Sequence, residues 1–168
     1  MVAFAHKHAV AEIPAGNEAS VDVASLMEAA LEEARAAAAH GDVPVGCVIA
    51  QGSRIIARAR NRTLADHDPT AHAEMLALRQ AAAALGTERL TDCDAYVTLE
   101  PCTMCAAALS FARIRRLYYG AGDPKGGAVD NGVRFFSAPA CHHRPEVYGG
   151  IAEHEAAVLL RSFFSARR

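Results

Sequence analysis

Four residues in two short segments have the types and spacing to do chemistry together. The first segment reads Thr70-Ala71-His72-Ala73-Glu74, and the second Pro101-Cys102-Thr103-Met104-Cys105. Cysteines three apart share one face of a helix and can hold a single ion between them. The imidazole of His72 offers a third donor. One nitrogen and two sulfurs leave the fourth tetrahedral position of zinc open to water, the arrangement of a catalytic site rather than a closed structural one. Two thiolates and a neutral imidazole cancel the charge of a dipositive ion, and a helix N-terminus at each segment adds partial positive charge beside them. Water in such a site loses a proton near neutral pH. Glu74 lies two residues beyond His72 and so off its side of a regular helix, yet at an open first turn both side chains can reach one pocket.

Each part also has a plainer reading. His72 alone fits a surface or hydrogen-bonded core residue, and Glu74 alone fits a first-turn carboxylate. A lone Cys-x-x-Cys serves equally as a redox pair or as half of a structural zinc site. The redox reading has no need of His72 or Glu74, and the structural reading needs a fourth protein ligand, for which Cys141, His142 and His143 are candidates. Taken together and in order, the two segments match the His-x-Glu and Pro-Cys-x-x-Cys pattern of zinc-dependent nucleobase deaminases, in which the glutamate moves protons and does not bind the metal.

The elements that must position these residues follow from the apolar pattern. From Val21 to Ala39 the residues Val23, Leu26, Met27, Ala30, Leu31 and Ala34 recur three and four apart, which predicts an amphipathic helix ended by Gly41 and Asp42. Two β-branched runs on either side of Gln51, Gly52 and Ser53 predict a hairpin. A turn at His67-Asp68-Pro69 precedes a helix from Ala71 to Leu85 with Thr70 as its cap, closed by Gly86. Tyr96 to Leu99 reads as a buried strand, Pro101 as the start of a helix carrying both cysteines, and Ile114 to Tyr119 as a further strand. Gly120 to Gly150 lacks periodicity and is expected to hold only short elements, before a closing helix from Ala152 to Arg167. Alternating strands and helices predict an α/β chain, a sheet at least partly parallel and covered by helices.

Length and composition bound the rest. With 168 residues, 52% hydrophobic and 21% charged, the chain suits one folded domain and not a disordered one. No apolar run reaches the roughly 18 residues of a membrane helix, so no membrane partner is expected. The first 20 or so residues resemble neither a secretion signal nor a core element and read as a loose extension, residues 1–20, ahead of a catalytic domain over 21–168. Five cysteines, an odd number, argue against a disulfide framework and for a reducing, cytoplasmic setting. Cys47, Cys93 and Cys141 read as small buried hydrophobes. The net charge of −2 argues mildly against a broad nucleic-acid footprint, but nine basic against five acidic residues from Arg113 onward could form a local positive surface or a merely solvated one.

On longer stretches the sequence resembles bacterial tRNA-specific adenosine deaminases, which convert the wobble adenosine of a tRNA anticodon to inosine. The resemblance rests on Asp42-Val43-Pro44-Val45-Gly46, Asn61-Arg62-Thr63, His67 to Glu74, Tyr96 to Cys105 and Arg113 to Ala121. It implies the three-layer α/β/α cytidine deaminase-like fold with a mixed, roughly five-stranded sheet. It further implies one catalytic Zn²⁺ per subunit on His72, Cys102 and Cys105, water attack at adenine C6 with Glu74 as the proton shuttle, and a homodimer acting on the tRNA anticodon stem-loop. Asn61 would hydrogen-bond the target base with the backbone around Ala73 as a further orienting group, while Lys125, Phe164 and Arg167 would contact RNA. From composition alone, Asn61 is a strand-ending turn residue, Lys125 a solvated lysine, Phe164 a core aromatic and Arg167 part of a frayed basic terminus. Cys47 departs from the small residue common in that family, as do residues 129–136 and 141–143 from its best-known members. Two other functions use the same residues: deamination of a free base or nucleoside, and a noncatalytic zinc-stabilised RNA-binding module.

Overall fold

A computed structural model describes residues 22–167. The expected extension over residues 1–20 lies outside the described residues, as do Val21 and Arg168. Helix α1 runs Val23–Ala39, capped by the Asp22 carboxylate, which accepts the N–H of Ser25 at 3.2 Å. Strands β1 (Gly46–Gln51) and β2 (Arg54–Arg60) form the expected hairpin, turned through Gly52 at φ +57°. Then follow α2 (Ala73–Leu85), β3 (Asp94–Leu99), α3 (Thr103–Phe111), β4 (Arg116–Ala121), a short 3₁₀ turn at Phe135–Ser137, β5 (Glu146–Tyr148) and α4 (Glu153–Ser165).

The five strands form one mixed sheet in the order β2-β1-β3-β4-β5. Strand β1 is antiparallel to both neighbours, whereas β3, β4 and β5 are parallel to one another, joined in the first case by the α3 crossover. Side chains alternate across the sheet with the period-two geometry of a strand. Cys47, Ile49, Ala95, Val97 and Leu117 face α2 and α3, where Ala77, Ala81, Ala106 and Leu109 complete a buried core. Val48, Ala50, Tyr96 and Tyr118 face the opposite layer and pack against Val23, Met27 and Ala30 of α1, while α4 joins the same side through Ala156. The three-layer α/β/α arrangement expected of the chain is therefore present.

Two details explain how tightly the layers close. A Cβ on Gly46 would lie 1.9 Å from the Ala30 carbonyl oxygen and 2.7 Å from the Ala34 nitrogen, so only glycine lets α1 sit this close to β1. Tyr96, Tyr118 and Tyr148 occupy paired register positions on β3, β4 and β5 and stack with centroids 4.7 and 5.0 Å apart.

Several boundaries differ from the sequence expectation, each for a local reason. Thr70 does not cap α2: its N–H and hydroxyl both turn back to the Asp68 carboxylate at 2.8 and 2.7 Å, and His72 takes the cap position. Likewise α3 begins at Thr103 with Cys102 as its cap, two residues after Pro101. Strand β4 begins at Arg116 rather than Ile114, because Ile114 is spent burying the turn that follows α3. The glycine-rich region after β4 does hold only short elements, the 3₁₀ turn and β5. No helix among the described residues is long and apolar enough to cross a membrane.

Candidate active site

The shift in helix starts builds the site. His72 and Cys102 both have extended backbone at a helix cap, with φ/ψ of −72°/149° and −72°/175°. Neither side chain caps its own helix, although each carbonyl accepts the first helical hydrogen bond, from Leu76 at 3.0 Å and Ala106 at 2.8 Å. Extended backbone swings His72 off the helix axis, which removes the difficulty that residues two apart face different sides of a helix. The N-termini of α2 and α3 thus converge on one place and direct their positive ends toward the sulfurs.

The imidazole Nδ1 of His72 lies 3.7 Å from the Cys102 sulfur and 3.5 Å from the Cys105 sulfur. Ordinary zinc–sulfur and zinc–nitrogen bonds at a tetrahedral angle separate sulfur from nitrogen by about 3.6 Å. All three donor atoms lie within 4.8 Å of one another, and they form the one such cluster among the described residues. His72, Cys102 and Cys105 are therefore positioned to coordinate a single metal ion, as expected for one Zn²⁺ per chain. Among the described residues no fourth protein ligand joins them. Cys141 donates to the His143 carbonyl at 3.0 Å beside Ser110, and His143 Nε2 is held 2.7 Å from the Ile114 carbonyl. The closed structural site that would draw on those residues is not formed.

The charge state of the sulfurs agrees with ligand duty. The Cys105 thiol hydrogen bond, with help from His72, pulls Cys102 down to about 4, and the same sulfur pair pushes Cys105 up. A dipositive ion would favour the thiolate form of both. Glu74, on the first turn of α2, is 4% exposed. Burial raises its carboxyl to about 7, opposed by the nearby His72.

The metal cluster opens on a cleft of about 280 Å³ lined by Val43, Asn61, His72, Glu74, Glu100 and Cys102 among others. That is near the lower end of small-molecule sites, roughly 300 Å³, and suits one ring system rather than a large ligand. Asn61, only 7% exposed, stands on the wall of this cleft at the end of β2. Ala73 is fully buried as the first residue of α2.

The remaining expected site residues stand further out. Lys125 is exposed on the loop after β4, beside Gly126 of the cleft lining. Phe164 is 50% exposed and meets the buried Phe163 edge to face. Arg167 stacks its guanidinium 3.6 Å over the Phe163 ring and donates to the Gly41 carbonyl at 2.8 Å. That contact brings the end of α4 next to Asp42 and Val43, and so to the cleft rim. Part of the C-terminal basic excess is consumed internally, since Arg115 pairs twice at 2.9 Å with the buried Asp94 and Arg116 pairs with Glu146.

Two functional-site carboxylates carry no motif of their own. Glu100, 2% exposed, accepts from the backbone N–H of Asp123, Val129, Asp130 and Asn131 and from the Asn131 amide. It thereby ties the loop bearing Lys125 to the start of α3, where Gly127 pairs with Cys102. Asp42, 1% exposed, accepts from Asn61, Thr63, Leu64 and Ala65. The one sign of them in the sequence is their place inside the segments Asp42 to Gly46 and Tyr96 to Cys105.

Comparison with known proteins agrees with this geometry. Residues 21–121 match the cytidine and deoxycytidylate deaminase zinc-binding region. A tRNA-specific adenosine deaminase of Agrobacterium fabrum is 63% identical over 143 residues, covering 85% of this chain and 94% of that protein. The chain belongs to the bacterial tRNA-specific adenosine deaminases of the cytidine deaminase superfamily. A solved member of this family, from work on A-to-I editing by tRNA:A34 deaminases at the wobble position, superposes with a TM-score of 0.80 at 62% identity, covering 81% of this chain and 99% of that one. A guanine deaminase from Nitrosomonas europaea is more distant, with a TM-score of 0.74 at 25% identity over 84% of each chain. The deaminase family thus supplies both the architecture and the open His-Cys-Cys centre found here, and makes this chain a zinc-site hydrolase.

Proposed function

We propose that this chain hydrolyses the wobble adenosine of a tRNA anticodon to inosine, releasing ammonia. The observation that carries the reading is an open three-donor metal site sharing one small cleft with a buried glutamate, in a close relative of tRNA-specific adenosine deaminases. When bound, zinc supplies a Lewis acid that makes water a nucleophile at neutral pH. His72, Cys102 and Cys105 hold it. Glu74 takes one proton as water adds to C6 of the adenine ring and gives it to N1, then takes the remaining hydroxyl proton from C6 and gives it to the amino group, which departs as ammonia and leaves the C6 carbonyl of inosine. Asn61 and the backbone at Ala73 hold the base in register with Glu74. The cleft admits a ring system and not a stacked duplex, so the base must leave the stack or already stand in a loop.

RNA shape, rather than net charge, supplies recognition on this reading. Lys125 beside the cleft, with Phe164 and Arg167 at the end of α4, contacts the anticodon stem-loop from the rim. One catalytic domain over residues 21–168 acts as half of a homodimer in the cytoplasm, a reading supported by the family, by the exposed Phe111 on α3 and by five cysteines without disulfides. The fold likeness to a guanine deaminase keeps a free-base activity as the second reading.

The test incubates the zinc-loaded protein with tRNA carrying wobble adenosine, and separately with free adenosine, cytidine and guanine. Inosine confined to the tRNA is the expected product. Turnover of a small substrate with inert tRNA would reject the proposal. Glu74→Ala is expected to keep its zinc and lose turnover.

A further inference from the structure

The amide of Asn61 is not free to choose which end it shows the cleft. Its nitrogen lies 3.2 Å from Asp42 Oδ1 and 3.1 Å from Thr63 Oγ1. An ionised carboxylate only accepts, so the end of the amide that faces Asp42 must be the nitrogen. Thr63 cannot compete, because its own hydroxyl proton is donated to the same Asp42 oxygen at 3.1 Å. The hydroxyl therefore accepts the second N–H of Asn61. Both donors of the amide are thereby occupied, and the carbonyl oxygen is the end left to meet a donor on the substrate.

Asp42 can impose this orientation because it is itself fixed. It is 1% exposed and held by the backbone N–H of Leu64 at 3.0 Å and of Ala65 at 3.1 Å. Its own backbone N–H is anchored to the Ala37 carbonyl at the end of α1. Asn61 is tied in turn by its N–H to the Val45 carbonyl at 3.0 Å. Val43 and Thr63, the neighbours of these two residues, line the same cleft as His72 and Glu74.

We propose that Asp42 is a positioning residue of the deamination reaction: by holding the nitrogen end of the Asn61 amide, it sets which hydrogen-bonding end of Asn61 meets the target base. The proposal rests on the reading of Asn61 as a base contact. Asp42 touches no substrate. An asparagine at position 42 would abolish the constraint, because a neutral amide can donate as well as accept and would let Asn61 turn over.

A double-mutant cycle separates this role from simple support of the loop. kcat/KM is measured on an anticodon stem-loop RNA with wobble adenosine for the zinc-loaded wild type, Asp42→Asn, Asn61→Ala and the double variant, with zinc content and Tm recorded for each. Mutations at contacting residues are not additive, so Asp42→Asn is expected to cost roughly tenfold with Asn61 present and less than about twofold without it. Equal loss in both backgrounds would mean that Asp42 only supports the fold, and overturns the proposal. So does an unaffected Asp42→Asn beside an impaired Asn61→Ala. A fully active Asn61→Ala marks failure of the base-contact reading itself, and the proposal falls with it. Should Asp42→Asn not fold, Thr63→Val replaces it: a several-fold loss that vanishes in the Asn61→Ala background is expected, and an equal loss in both overturns the idea.

Discussion

Replacing Glu100 with glutamine tests how much of the cleft wall depends on one buried carboxylate. Glu100 Oε1 accepts three backbone N–H groups, from Val129 at 3.1 Å and from Asp130 and Asn131 at 2.9 Å. Oε2 accepts Asp123 N–H at 2.9 Å and the Asn131 amide at 2.6 Å. Burial acts to raise this carboxyl, but the N–H groups of Asp123, Asn131 and Val129 and the Asn131 amide outweigh it and hold it below the usual carboxylate range. A glutamine keeps one acceptor oxygen, which the three N–H groups of Val129, Asp130 and Asn131 would claim. Its NH₂ then faces the two remaining donors. Asn131 can turn its amide over, but the backbone N–H of Asp123 cannot.

One buried donor without a partner costs about 1–3 kcal/mol. The surviving bonds lose charge assistance, which roughly doubles such bonds, while the relief of charge desolvation offsets part of that loss. The net expectation is about 2–4 kcal/mol. Urea unfolding of the zinc-loaded Glu100→Gln protein measures it, and amide hydrogen exchange over residues 123–131 locates it. A loss below about 0.5 kcal/mol, with protection of those amides unchanged, would refute the claim that Glu100 organises the loop.

Other expectations follow from the same geometry. Gly46→Ala drives a Cβ to 1.9 Å from the Ala30 carbonyl oxygen, and overpacking of about 1–3 kcal/mol should lower Tm by roughly 2–12 °C in thermal unfolding. Cys102→Ser should lose most bound zinc by metal analysis and, unlike the wild type, show a Tm insensitive to chelator. Burial raises Asp42, but the N–H groups of Leu64 and Ala65 with Thr63 and Asn61 outweigh it, so its folded pKa lies below the ordinary 3.8. Its contribution to stability is present above that ordinary value and is lost as pH falls through the lower folded one. The acid limb of stability against pH should therefore be shallower in Asp42→Asn than in the wild type. Removing Arg115 leaves the buried Asp94 without its bidentate partner, and Arg115→Met should cost about 1–3 kcal/mol in urea unfolding.

Features built by short-range interactions are legible in the sequence, and those built by long-range ones are not. Helix α1, the hairpin of β1 and β2 and the three ligands with Glu74 were legible because each depends on residues a few positions apart, with a period or a motif to betray them. The start of α2 differs by two residues for a competing local reason: Asp68 captures Thr70, which leaves His72 to occupy the cap. Those two residues matter, since the extended cap backbone is what allows His72 and Glu74 to share a cleft. The region after β4 shows no periodicity because its order comes from Glu100, whose partners lie 23 to 31 residues along the chain and form no repeating pattern. Asp42 was equally silent, with its partner Asn61 19 residues away across the β1–β2 hairpin. Residue type and spacing alone determined that this chain can hold a zinc ion and move protons beside it. Only tertiary folding decided which way Asn61 turns and how the loop beside the cleft is held, because buried carboxylates draw their hydrogen bonds from distant backbone that no local signal announces.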